Sequence, residues 1–208
     1  MNKVITLACI ILSSTISAQD QIAKNILDKL STTTQSYKNM TIEFSLTIEN
    51  KSQYIKDYQI GTLILSKEQF RLIMDNQTII NDGETQWVYL REMNEVQILK
   101  HEDKDDLMNP NKLFNIHKKD YKYSYYGTES KNGKQLQIIN LFPEKSVDFM
   151  KITIAVDTVK NQLNSISVSD KNGGTYNYLI RSFKSNTVIK PFTFNSELYP
   201  GIEIIDLR

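Results

Sequence analysis

The sequence holds one cysteine, one tryptophan and two histidines among 208 residues. A single thiol excludes a disulfide framework and a cysteine-rich metal site. The Gly-x-Ser-x-Gly elbow, the phosphate-binding P-loop and the Gly-x-Gly-x-x-Gly turn are all missing, so no familiar nucleophile or nucleotide motif is on offer. Neither charge sign prevails: 25 basic residues stand against 24 acidic, a net charge of +1. Without a basic excess or stripe, no nucleic acid is expected as a partner. No stretch approaches the ~18 continuous apolar residues of a membrane-spanning helix.

The first segment is a different kind of signal. MNKVITLACIILSSTISA has Lys3, an apolar stretch from Val4 to Leu12, and a small polar run ending in Ser17-Ala18. This is the layout of a secretory signal peptide over 1–18, with cleavage expected after Ala18. Cys9 leaves with it, in preference to a reading as a lipidated cysteine, since too little apolar sequence precedes it. Removing Lys3 leaves 24 basic side chains against 24 acidic ones. The remaining chain then works without a disulfide in an oxidising compartment. Its length fits one domain, 19–208.

Periodicity predicts one helix and many strands. Ile22, Ala23, Ile26, Leu27 and Leu30 recur at helical spacing, for a helix running to about Tyr37 and capped by Asp20 or Gln19. From there the period becomes two. In TIEFSLTIE (41–49), Ile42, Phe44, Leu46 and Ile48 alternate with polar residues. Further strands are expected at 58–65, with Gly61 as a bend or bulge, at 69–75, within 78–90 on either side of a turn at Asn81-Asp82-Gly83, and at 95–100, 121–127, 134–142, 151–156, 163–169 and 175–183. FTF and IEIIDL near the end are additional candidates. Asn132-Gly133 and Gly173-Gly174 supply hairpin turns. The pattern predicts a meandering antiparallel sheet. Residues 101–120 break it, as a loop and short helical turn with Leu107, Met108, Leu113, Phe114 and Ile116 around Asn109-Pro110.

Catalytic and metal chemistry is thinly supplied. His101, Glu102, Asp103, Asp105 and Asp106 form the one cluster that could be offered as a metal site or as the acids of a secreted hydrolase. The spacing to His117 does not match zinc ligation, and the calcium-loop pattern is absent. A solvated acidic loop is the simpler reading, so no catalytic residue, metal ligand or cofactor is assigned. The eleven tyrosines suit half-buried sheet surfaces, with packed rings and wet hydroxyls.

The distinctive feature is apolar surface. Strand after strand carries one apolar face, and only the first helix and the 107–116 segment are available to cover it. Either the sheet closes into a packed small barrel, or an apolar concavity remains for a ligand. Met74, Met93, Met108 and Met150 could supply adaptable walls or ordinary core. Trp87, in IINDGETQWVYL (79–90), belongs to core or ligand surface on the same terms.

The order of these pieces resembles the periplasmic outer-membrane lipoprotein carrier proteins, the LolA family. ILDKL stands for the family's N-terminal helix and TIEFSLTI for its Phe-centred strand. GTLILSKEQFRL (61–72) matches the Gly-x-Leu strand and Phe-Arg step. Asp82-Gly83-Glu84-Thr85-Gln86-Trp87-Val88-Tyr89 matches the Asp-Gly-x-x-x-Trp-x-Tyr signature. KPFTFNSELYPGIEIIDL matches the apolar end of the family. One departure is clear: many members carry an Arg-Pro before the Phe strand, where the arginine latches a helical lid. Here the place reads Ser66-Lys67-Glu68-Gln69, with Lys67 as the substitute donor, lacking the guanidinium's planar fork.

The resemblance implies a mainly β fold, an incomplete antiparallel β-barrel whose strongly curved sheet is covered by an N-terminal helix and a short helical lid. It implies a non-enzymatic soluble monomer in the periplasm, holding lipoprotein acyl chains on its apolar face. Its partners would be acylated lipoproteins, an inner-membrane lipoprotein-releasing transporter and an outer-membrane acceptor. Phe44, Leu46, Ile48, Leu63, Leu65, Phe70, Leu72, Met74, Trp87 and Tyr89 are the expected cavity residues. Lys67, Leu107, Met108, Leu113 and Phe114 are the expected lid or mouth. The same fold could instead carry a glycolipid, polyketide or pigment lipid, or sense mislocalised lipoproteins.

Overall fold

The computed structural model describes residues 21–101 and 121–208. The expected signal peptide, Cys9, the acids of 102–106 and the 107–116 lid lie outside the described residues. Helix α1 covers 21–36. Ala23, Leu27 and Leu30, at i, i+4 and i+7, are its buried stripe, with Ile26 packed beside them. Its outer side carries Lys24, paired with Asp28 at 3.1 Å. Ile22, expected on the stripe, is exposed.

Twelve strands follow: β1 Met40–Asn50, β2 Ile55–Ser66, β3 Gln69–Met74, β4 Gln77–Asn81, β5 Thr85–Leu90, β6 Glu95–Lys100, β7 Tyr121–Lys131, β8 Lys134–Pro143, β9 Phe149–Asp157, β10 Gln162–Asp170, β11 Gly174–Ser185 and β12 Glu203–Asp206. They form one sheet in the order β12-β6-β5-β4-β3-β2-β1-β11-β10-β9-β8-β7, so β12 and β7 are its two open edges. Two meanders meet where β11 returns to pair with β1. Every pairing is antiparallel except that of β12, which lies parallel to β6.

The turns follow their side chains. Asn132, at φ +53°, and Gly133 close the β7–β8 hairpin between paired Lys131 and Lys134. Between β4 and β5, Asp82 Oδ1 accepts from the amides of Glu84 and Thr85, and Gly83 takes φ +101°. That is a turn only a residue without Cβ enters cheaply. Register shifts at Glu43/Phe44, Leu163/Ser165 and Tyr125/Gly127 bend the sheet.

The sheet has a cover on each side. Helix α1 lies on one, the helix face. On the other, the strap face, residues 186–202 run from the end of β11 towards β12. The roots of the two covers are tied together. Lys38 N donates to Asn186 Oδ1 at 2.7 Å, and Asn186 N to Asn39 O at 3.0 Å. Asn39 Nδ2 donates to Thr187 O at 2.9 Å, and Thr187 N to Asn39 Oδ1 at 3.0 Å.

Candidate apolar binding face

Directly paired residues in a ladder share a face of the sheet, so register assigns every side chain. One row of the helix face runs Ile42, Leu63, Leu72, Ile79 through β1 to β4. Another runs from Tyr125 through Ile139, Ile154, Ile166 and Tyr178 to Leu46, from β7 to β1. The apolar face is therefore continuous from β7 to β4 along the order of the sheet.

It divides into two clusters. In the first, α1 packs on Ile139, Leu141, Ile152, Ile154, Val156 and Ile166 of β8 to β10. In the second, Met40, Ile42, Phe44, Leu46, Leu63, Leu65, Phe70 and Met74 of β1 to β3 pack on one another. Tyr176, Tyr178 and Ile180 of β11 touch both. Gly61 sits at the middle of the second cluster. A Cβ there would lie 2.5 Å from both Met74 Sδ and Phe44 Cζ. The bend expected at this glycine is instead a close approach: Phe44 and Met74 fold over bare backbone.

Eight of the expected cavity residues come together here. Phe44, Leu46, Leu63, Leu65, Phe70 and Met74 are buried in the second cluster, and Ile48 and Leu72 are half-buried against it. Trp87 and Tyr89 are a correction. Ile79, on the helix face, pairs with Val88; Trp87 pairs with Ile80 and Tyr89 with Thr78. The two rings therefore point to the strap face. From β4 to β6 both faces carry apolar residues: the helix face mixes Ile79, Val88 and Leu99 with Asn81, Gln86 and Gln97, while the strap face carries Ile80, Trp87, Tyr89 and Val96.

The strap supplies the matching aromatics. Tyr89 lies 4.5 Å from Tyr199 and 5.9 Å from Phe194, and the last two stack at 5.0 Å. Phe192 is buried, with the Arg71 guanidinium 5.6 Å from its centroid. Arg71 also donates through Nη2 to Pro191 O, and burial pushes its pKa down. FTF is thus part of the strap and not a strand. Lys67 is exposed in the β2–β3 turn at φ +53°. Leu107, Met108, Leu113 and Phe114 lie outside the described residues. Met93 and Met150 are exposed and line no apolar wall.

Sequence reasoning missed Tyr178, Ile180 and Phe183. TYNYLIRSF alternates, but Arg181 is the extra residue opposite Glu43 and Phe44, so Phe183 rejoins the face out of phase. Tyr178 lies 5.7 Å from Phe44, and Phe183 lies 5.6 Å from Tyr37.

Asn81 is the fully buried polar group of the helix face. Its Oδ1 accepts from Gly83 N at 2.8 Å, which leaves Nδ2 to donate to His101 Nδ1 at 2.7 Å. His101 is thereby engaged in fixing the β4–β5 turn. On the strap side, an open cleft of about 550 Å³ lies between the strap and the turns, lined by Ser66, Gln69, Asp82, Glu84 and Ile189 to Thr193. Its mixed polar lining is unlike the apolar helix face.

Comparison with known proteins fits this arrangement. A solved structure of an uncharacterised conserved protein from Thermus thermophilus matches with a TM-score of 0.53 at 11% identity, covering 88% of this chain and 98% of that one. A DUF1329 family protein from Desulfovibrio piger matches with a TM-score of 0.50 at 10% identity, covering 87% and 99%. In sequence, an outer-membrane lipoprotein carrier protein from Hahella chejuensis is 23% identical over 184 residues, covering 86% of this chain and 87% of that one. The family model described as "Outer membrane lipoprotein carrier protein LolA" matches residues 35–197. The chain belongs to the LolA family of outer-membrane lipoprotein carriers.

Proposed function

We propose that the protein carries the acyl chains of lipoproteins on its helix face, through the periplasm, from the inner membrane to the outer. The observation that carries this reading is the continuous apolar face, with α1 seated on one cluster and a second, self-packed cluster beside it. Family membership and the carrier from Hahella chejuensis support it. The donor would be an inner-membrane lipoprotein-releasing transporter, the recipient an outer-membrane acceptor, and 1–18 the export signal.

The physics of carriage demands a balance. Each methylene kept from water is worth about 0.8 kcal/mol. A carrier that gained all of this would never release its load. Here the second cluster already buries its own side chains, Phe44 and Leu46 to 5% exposure. An entering acyl chain exchanges protein–protein contacts for protein–lipid contacts and gains only the difference. Affinity is thus held below that of a bilayer.

Titration of the protein with a fluorescent triacylated lipopeptide tests the reading. Saturable binding is expected, weakened in Ile48→Asp, which puts a charge on the rim of the cluster. No saturable binding by the wild-type chain would refute acyl carriage. Mass spectrometry of lipid co-purified from the native host that found only another lipid class would replace the cargo and keep the site.

A further inference from the structure

Strand β2 has 12 residues and its neighbour β3 has 6. Only Gly61 to Ser66 pair with β3. Ile55 to Ile60 pair with β1 on one side and, among the described residues, with no strand on the other. The sheet wall steps down here over about 20 Å of strand.

Three features of the step point to a ligand. It carries uncovered apolar side chains between Lys56, Asp57 and Gln59: Ile55, Tyr58 and Ile60, with Tyr54 in the turn before them, are 46%, 53%, 52% and 96% exposed. Its backbone is available. Tyr58 N–H turns away from β1 and is held by its neighbour Asp57 Oδ1 at 2.8 Å, a local guard that an incoming carbonyl can replace. And the step adjoins the apolar site. Asp57 and Gln59 pair with Ile48 and Leu46, which belong to or pack on the second cluster.

We propose that this open edge takes the extended peptide that follows the acylated residue of a lipoprotein, bound as an added β-strand. The inference rests on the acyl-carrier reading above. With its acyl chains on the helix face, such a cargo must pass its polypeptide out over the rim. The rim steps down at Ile55 to Ile60, where β2 has no second strand beside it among the described residues. Strand addition reads main chain and not sequence, so one edge accepts many cargo proteins. The exposed Tyr58 and Ile60 then pack against alternate cargo side chains, and Tyr58 is steadied by Arg181 Nη2, which donates to its hydroxyl at 2.7 Å.

The test uses the wild-type chain and three synthetic ligands: a triacylated cysteine amide, the same group followed by a six-residue polar peptide, and that lipopeptide N-methylated at alternate residues. The peptide extension should tighten binding about tenfold, as expected of two added main-chain hydrogen bonds. N-methylation should abolish that gain, and only the unmethylated extension should slow amide exchange at 55–60. An extension without gain, or a gain that survives N-methylation, overturns the proposal while leaving acyl carriage intact. Failure of the cysteine amide itself to bind is the separate failure of the carrier reading, and the proposal falls with it. A ligand-free dimer with protected amides at 55–60 would make a second copy the occupant and also overturn it.

Discussion

Adding one methyl group at Gly61 probes how tightly the apolar face is packed. In Gly61→Ala the new Cβ meets Met74 Sδ and Phe44 Cζ at 2.5 Å, and Phe44 Cε1 at 2.9 Å. Carbon contacts settle near 3.5–4.0 Å, so both side chains must retreat by about 1 Å. Met74 has a flexible end; the Phe44 ring is backed by Tyr178 at 5.7 Å. Overpacking of this kind costs about 1–3 kcal/mol, while the lost backbone freedom of the unfolded chain returns about 0.4–1 kcal/mol. A net loss of about 0.5–2 kcal/mol should lower Tm by roughly 1–8 °C for a chain of this length, measurable by thermal and urea denaturation. Met74→Ala vacates the contested space. Gly61→Ala/Met74→Ala should therefore be more stable than the sum of the single changes, with about 0.5–3 kcal/mol of coupling. Gly61→Ala at or above wild-type stability, or an additive pair, would refute this close packing over Gly61.

Other perturbations separate the two faces. Trp87 emission should not respond to a triacylated lipopeptide, and Trp87→Phe should bind it as the wild type does; a binding-dependent shift would place the ring on the acyl side. Arg71→Met should destabilise by about 1–3 kcal/mol in urea titrations, since Pro191 O loses a charged donor, without changing lipopeptide affinity. Asn81→Leu removes the acceptor for Gly83 N–H and the partner of His101, and should cost about 1–3 kcal/mol by the same measurement. Leu27→Ala, on the buried stripe of α1, should cost about 2–5 kcal/mol, and wild-type stability in that variant would mean the helix is not packed on β8 to β10.

Period-two alternation made β1 to β3 legible. Phe44, Leu46, Leu63 and Phe70 each stand in an alternating run, and one parity choice orients the whole set. β5 offered no such choice. In TQWVYL, Trp87 and Tyr89 alternate with Val88 and Leu90, so both faces are apolar and burial alone cannot orient the strand. Its facing was set by the strap, more than a hundred positions away, where Phe194 and Tyr199 complete the cluster around Tyr89. Bulges hid a second part. The extra residue at Arg181 shifts Phe183 onto a face that strict alternation denies it. The close approach at Gly61 was equally invisible, because it depends on which rings the neighbouring strands place above it. The Asp-Gly and Asn-Gly turns, by contrast, are local and formed where the sequence put them.

The knot between Asn39 and Asn186–Thr187 gives the molecule one anchorage for two coverings. Helix and strap depart from the same point and lie over opposite sides of the wall. Peeling the helix away would expose Ala23, Leu27 and Leu30, at about 1.5–3 kcal/mol for each leucine, and leave the strap's aromatic stack in place. The anchorage would still clamp β1 to β11 at that end. On the acyl-carrier proposal, room for cargo would be made by giving up the helix layer, while the Asn39 anchorage keeps β1 and β11 in register.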